Sequence, residues 1–288
     1  MRVTHQMLHA NALRALAANL GGLDRAAERV ATARRLNRPS DDPADVRRAI
    51  KLADAQAEIA QYLRNVDAGD RLLGLADTAL GRTSEIVGRA RELAVAGANG
   101  TLSAADRAAM AAEVRQLAEQ VVGLAATRAG DAYIFSGLRT DVPPYASPTG
   151  PYQGDSGAIL AWIGPATSLP VNVVGSAAFG PVLAALDALA TELEAGGPVS
   201  GATLTSLDAA RSAVVDARAV VGARQNRLEL GRTALEDARL ATERLRSMVE
   251  DADLAEAVTE LSRREATYQA ALGVTARVLS TSLVDYLR

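Results

Sequence analysis

Residues 52–90, LADAQAEIAQYLRNVDAGDRLLGLADTALGRTSEIVGRA, place Leu52, Ile59, Val66, Leu73, Leu80 and Val87 at intervals of seven. Ala55, Tyr62, Gly69, Ala76, Thr83 and Ala90 each follow three positions later, so a large side chain alternates with a mostly small one. A seven-residue apolar repeat makes a helix whose a and d positions face a partner along one narrow seam. Small d positions let that partner approach closely, at a cost of roughly 1 kcal/mol for an interior glycine relative to alanine. The stretch therefore predicts a long helix that needs a second one.

Late in the chain a matching register appears. Leu207, Val214, Val221, Leu228, Leu235 and Val249 share one heptad phase, with Ala210, Ala217, Gly231, Ala238 and Leu245 beside them and Arg224 and Thr242 as weak points. Asn99-Gly100 ends the first seam, and Ser103-Ala-Ala-Asp106 reads as the cap of another helix carrying Met110, Val114, Leu117, Val121 and Leu124. Between these helices, residues 136–202 differ in composition, holding seven of the ten prolines between Pro143 and Pro181. This insert reads as a small β-rich lobe, with strands at Ala158–Ile163 and Leu169–Val174 and a short helix at Pro181–Glu194.

The two ends form a further pair. At the N-terminus Leu13, Leu16, Leu20, Leu23, Ala27 and Val30 step by three and four; at the C-terminus Leu254, Val258, Leu261, Tyr268, Leu272 and Leu279 do the same. Breaks set them apart: RPSDDP at 38–43, where Ser40, Asp41 or Asp42 can cap and Pro43 suits a first helical turn, and Glu250-Asp251-Ala252-Asp253. Residues 1–40 carry seven arginines against two acids and residues 250–288 seven acids against four arginines, so the ends are complementary in charge. Each stripe is too narrow to bury itself. Pairing of the ends, within or between chains, follows, and Leu13, Leu16, Leu20, Leu23, Val30, Leu254, Val258, Leu261, Leu272 and Leu279 are the candidate assembly interface.

Composition narrows the function. The chain has 288 residues, 61 of them alanine and only nine aromatic, which favours thin helical seams over a thick globular core. A net charge of −3, with thirty arginines and the lone Lys51, gives no reason to expect nucleic acid as a partner. No stretch approaches the ~18 uninterrupted apolar residues of a membrane span, so no membrane insertion is expected. The N-terminus lacks the pattern of a cleavable signal, being interrupted by His5, Gln6, His9, Asn11 and Arg14. With no cysteine, thiolate chemistry and disulfides are excluded.

Catalytic motifs fail one by one. Gly154-Asp155-Ser156-Gly157 spells the sequence around a serine-protease nucleophile, but that chemistry needs an imidazole, and the only histidines are His5 and His9. It reads as a polar turn. His5 and His9 share one helical face without a third metal ligand, and Lys51 follows no glycine-rich phosphate loop. Asn99-Gly100-Thr101 fits a glycosylation acceptor and, more simply, a turn. Arg34-Arg35, Arg47-Arg48 and Arg263-Arg264 read as salt-bridging positions. No catalytic residue, metal or cofactor is expected.

Five segments carry a resemblance. RPSDDPA (38–44), YIFSGLRTDVPPY (133–145), YQGD (152–155), VGARQNRLE (221–229) and the ending EDADLAEAV (250–258) through SLVDYL (282–287) resemble the flagellin superfamily. YIFSG with PPY, YQGD and the DYL ending are similar to its hook-associated branch at the hook–filament junction. The resemblance implies a mainly α fold, a flagellin-like elongated helical rod or coiled coil with a small β-rich lobe. It divides the chain into a terminal coiled-coil assembly domain (1–40 with 251–288), a helical rod domain (41–135 with 203–250) and an outer lobe (136–202). It implies a structural, non-enzymatic adaptor joining the bacterial hook to the filament, with a flagellin filament subunit as the alternative. A cytosolic helical signalling adaptor ranks behind both. The implied partners are further copies of itself, neighbouring hook-associated protein and flagellin subunits, and a cytosolic export chaperone at the C-terminal helix. The implied location is the extracellular flagellum, reached by type III export without a cleavable signal peptide.

Overall fold

A computed structural model describes residues 5–100 and 102–286, with side chains at Met7 and across most of 10–277. The described residues form six helices, α1 His5–Thr32, α2 Pro43–Gly97, α3 Ala104–Ala125, α4 Gly175–Glu194, α5 Gly201–Glu250 and α6 Leu254–Tyr286. Two small antiparallel sheets accompany them, β1 Arg128–Ala129 with β2 Ala132–Tyr133, and β3 Leu160–Gly164 with β4 Thr167–Pro170. The chain divides into two compact units, a central one of Ile59–Asp237 and a terminal one of Met1–Glu58 with Ala238–Arg288.

In the central unit the two heptad seams meet as expected. Val66, Leu73, Leu80 and Val87 of α2 and Leu207, Val214, Val221, Leu228 and Leu235 of α5 are buried in one apolar cluster. Ion pairs Arg91–Asp208 (2.7 Å), Asp77–Arg218 (2.9 Å) and Asp67–Arg232 (3.0 Å) run in opposite order along the two helices, so the pair is antiparallel. The register's two weak points are satisfied locally: Arg224 Nη1 donates to Asn172 O at 2.6 Å, and Thr242 Oγ1 donates to Ala238 O at 2.8 Å. Gly69 is required by a close approach, because a Cβ there would stand 2.7 Å from Val171 Cγ1. Gly69→Ala is therefore expected to destabilise the central unit by roughly 0–2 kcal/mol, the overpacking cost less the helix propensity that alanine regains, read as a urea midpoint that is not raised; a higher midpoint contradicts the packing.

The cap of α3 forms as its sequence suggests, with Ser103 Oγ accepting from Asp106 N and the Asp106 carboxylate accepting from Ser103 N. The insert holds one hairpin: β3 is shifted slightly later than its expected span, β4 overlaps the expected Leu169–Val174 only at Leu169 and Pro170, and the helix is longer than expected. Proline is favoured at a first helical turn, yet α4 starts at Gly175 and carries Pro181 inside it. Gly175 N donates to Phe135 O at 2.8 Å, and the added turn buries Ala178 and Phe179. That burial outweighs the roughly 3 kcal/mol penalty of an interior proline. By length and apolar composition α4 could cross a membrane. Its Phe179, Val182, Leu186, Leu189 and Leu193 are instead buried in the same cluster as α3.

Residues 133–145 and 152–157 build the turn beneath α4. Gly137 has φ +70° and leaves no room for a Cβ, which would meet Asp155 Oδ1 at 2.2 Å. That Oδ1 accepts from Leu138 N and Gly157 N, holding the Asp155 carboxyl below its usual range. Tyr152 Oη donates to Phe135 O at 2.8 Å. Gly154–Gly157 is thus a turn clamped by its own aspartate.

Candidate assembly interface

The terminal unit joins α1 to α6. Arg34 and Asp251 form an antiparallel bridge where the helices meet, Ala252 N donates to Ala33 O (3.0 Å), and Arg35 N donates to Glu250 O (2.7 Å). Further along, a Cβ on Gly22 would lie 3.3 Å from Arg264 Nη1, so the helices run antiparallel. Among the described residues, the buried positions along the pair are small: Gly22, Ala26, Ala257 and Thr275. This differs from the expected seam. Small side chains take the centre because they allow the closest helix approach, and the larger ones are left at its flanks.

Each candidate interface residue can be placed accordingly. Leu16, Leu23, Val30 and Leu261 are half-buried at the edges of the pair. Leu13 (58%), Leu20 (43%), Leu254 (51%), Val258 (48%) and Leu272 (41%) are exposed. The side chain of Leu279 lies outside the described residues, as do those of His5 and His9. Periodicity did not single out Met7 (56%) and Val274 (61%), which extend the exposed aliphatic surface. Among the described residues, charge complementarity across the pair's junction appears in Arg34–Glu250 at 3.9 Å. Glu260 is taken by Arg263 and Arg264 of its own helix.

A polar clasp holds the two breaks together. Arg35 Nη2 reaches Asp45 Oδ2 at 2.6 Å and Val249 O at 2.9 Å, and Arg38 pairs with Glu28 at 2.9 Å. Asp41 Oδ2 accepts from Arg38 N and Asn37 N, while Asp42 Oδ1 caps α2 by accepting from Asp45 N and Ala44 N. These backbone hydrogen bonds hold both carboxyls below their ordinary value of 3.8. Groups depressed on folding contribute stability above the unfolded value and lose it as pH falls through the folded one. Acid should therefore release the Asp41 and Asp42 hydrogen bonds only below pH 3.8. Amide shifts of Ala44 and Asp45 followed by NMR test this; a titration midpoint above 3.8 contradicts it.

Ala33 closes α1 with φ +53°. The left-handed region costs a β-carbon residue about 1–2 kcal/mol, partly offset by the lower entropy of alanine in the unfolded chain. Ala33→Gly is expected to raise stability by about 0.5 kcal/mol, measured as a higher urea midpoint; a lower midpoint contradicts it.

Fold and terminal pair define a class: a mainly α protein whose two chain ends pair as helices and leave aliphatic side chains in water. The bacterial flagellin N-terminal helical region matches residues 3–140 and the flagellin C-terminal helical region matches 204–287, well over half of the chain together. The chain belongs to the flagellin family. Flagellar hook-associated protein 3 of Salmonella typhimurium is 23% identical over 183 residues, 63% of this chain and 58% of that protein. The match thus spans less than two thirds of that curated relative's length. Two solved structures share the fold. One, assigned to a flagellar hook-associated protein from Vibrio parahaemolyticus, has a TM-score of 0.67 at 24% identity, covering 73% of this chain and 99% of that one. The other, the flagellar junction protein FlgL from Legionella pneumophila, has a TM-score of 0.58 at 17% identity, covering 70% and 100%.

Proposed function

We propose that this chain is a structural adaptor at the flagellar hook–filament junction, polymerising through its terminal helices with further copies and with neighbouring hook-associated and flagellin subunits. The observation that carries the reading is the terminal pair, whose small-residue seam leaves Leu13, Leu20, Leu254, Val258 and Leu272 exposed. Burying such a side chain fully gives roughly 1.5–3 kcal/mol, so a neighbouring subunit that covers several of them supplies the drive for assembly. The name of the Legionella pneumophila structure and that of the Salmonella typhimurium relative support the junction over the filament.

In this reading residues 1–40 with 251–288 form the assembly layer, 41–135 with 203–250 the next helical layer, and 136–202 the outer lobe. Export runs by the flagellar type III route, unfolded and without a cleavable signal, with a cytosolic chaperone covering α6 beforehand. A chain without cysteine suits such passage. Immunolabelling of intact flagella tests the assignment. A narrow band at the distal edge of the hook is expected. Label along the whole filament would instead make the chain a filament subunit, and label confined to the cytosol would make it a signalling adaptor.

A further inference from the structure

The loop joining α2 to α3 carries Asn99-Gly100, a motif that assembly leaves unused. Both residues are exposed, and a Cβ built on Gly100 meets nothing within 4 Å. Beneath the loop lies Arg107, 4% exposed in the first turn of α3. Its Nη1 donates to Gly97 O (2.8 Å) and Gly197 O (2.6 Å), and its Nη2 donates to Asn99 O (3.0 Å). All three acceptors are carbonyls, and the third belongs to the Asn99–Gly100 peptide unit itself.

We propose that Asn99 is a self-modification site, deamidating through a succinimide, with Arg107 as the positioning residue that activates the Gly100 nitrogen. The Gly100 N–H gives its proton to solvent base, and the resulting anion shares its charge with Asn99 O, the atom that the guanidinium holds. The nitrogen then bonds to Asn99 Cγ as the Cγ–Nδ2 bond breaks, and Nδ2 leaves as ammonia after taking a proton. Water opens the ring. Attack at Cγ gives aspartate at position 99. Attack at the former main-chain carbonyl routes the chain through Cγ and frees an α-carboxylate, giving isoaspartate. Nothing is oxidised or reduced; water replaces ammonia. The isoaspartate route places a new carboxylate on the oxygen already gripped by Arg107, supplying an anion to a buried cation whose three acceptors were carbonyls.

The test incubates the full chain at mildly alkaline pH, once folded and once unfolded in urea, and follows by mass the tryptic peptide Glu92–Arg107 for the exchange of an amide for an acid. The folded chain should deamidate several-fold faster than the unfolded one. Folded Arg107→Met, in which digestion extends the peptide to the next arginine, should fall to the unfolded rate, and Gly100→Val should be slow in both states. A folded rate at or below the unfolded rate overturns the proposal, as does a folded Arg107→Met that keeps the original rate. Should Arg107→Met not fold, the folded-against-urea comparison decides alone.

Discussion

Phe179→Ala is expected to lower the unfolding free energy of the central unit by about 3–5 kcal/mol. Phe179 is fully buried, and its ring meets that of Phe135 edge-on with centroids 4.8 Å apart. Truncation removes the transfer energy of the side chain, leaves a cavity, and forfeits an aromatic pair. The surroundings have little freedom to collapse, because Phe135 is pinned at its carbonyl by Gly175 N and Tyr152 Oη. Chemical denaturation followed by circular dichroism measures the loss; a change under about 1 kcal/mol would place Phe179 outside the core.

The second large effect concerns assembly. Leu20→Asp and Leu272→Asp each put a carboxylate on the exposed flank of the terminal pair, where the free chain leaves these leucines 43% and 41% accessible. Stability of the free chain should fall by about 1–2 kcal/mol, because each side chain is already more than half covered and aspartate is a poorer helix former than leucine. A neighbour that covers the site would instead have to bury an unpaired charge, which costs several kcal/mol. Both variants are therefore expected to fold and to stop filament growth in a motility assay. Normal filaments in both would reject the flank as an interface. Leu16 is a poorer probe, being half-buried against the pair already, so that Leu16→Asp would disturb the free chain too.

Local order was legible wherever a short-range rule decides the outcome. The α2 and α5 seams follow from their seven-residue period, the Ser103–Asp106 box from its spacing, the clamp in Gly154–Gly157 from its turn residues, and Asp42 with Pro43 from helix-start chemistry. What escaped depends on partners distant in sequence. The early start of α4 is set by Phe135 O. Arg107 is buried because Gly97, Asn99 and Gly197 turn three carbonyls towards it, and nothing in its local sequence marks that. At the chain ends periodicity marked the apolar face of each helix. It could not say that Gly22 and Ala26, and not the leucines, would lie at the point of closest approach. Interhelical distance, a tertiary quantity, makes that choice.

Because the chain has no cysteine, a single one can report on any surface. Leu272→Cys, its thiol reacted with a polar maleimide in the free chain and again in intact flagella, addresses the exposed flank directly. Fast labelling of the free chain and strong protection in flagella is the expected result. Equal labelling rates in the two states would show that this flank stays in water after assembly, and the terminal pair would not be the surface through which subunits join.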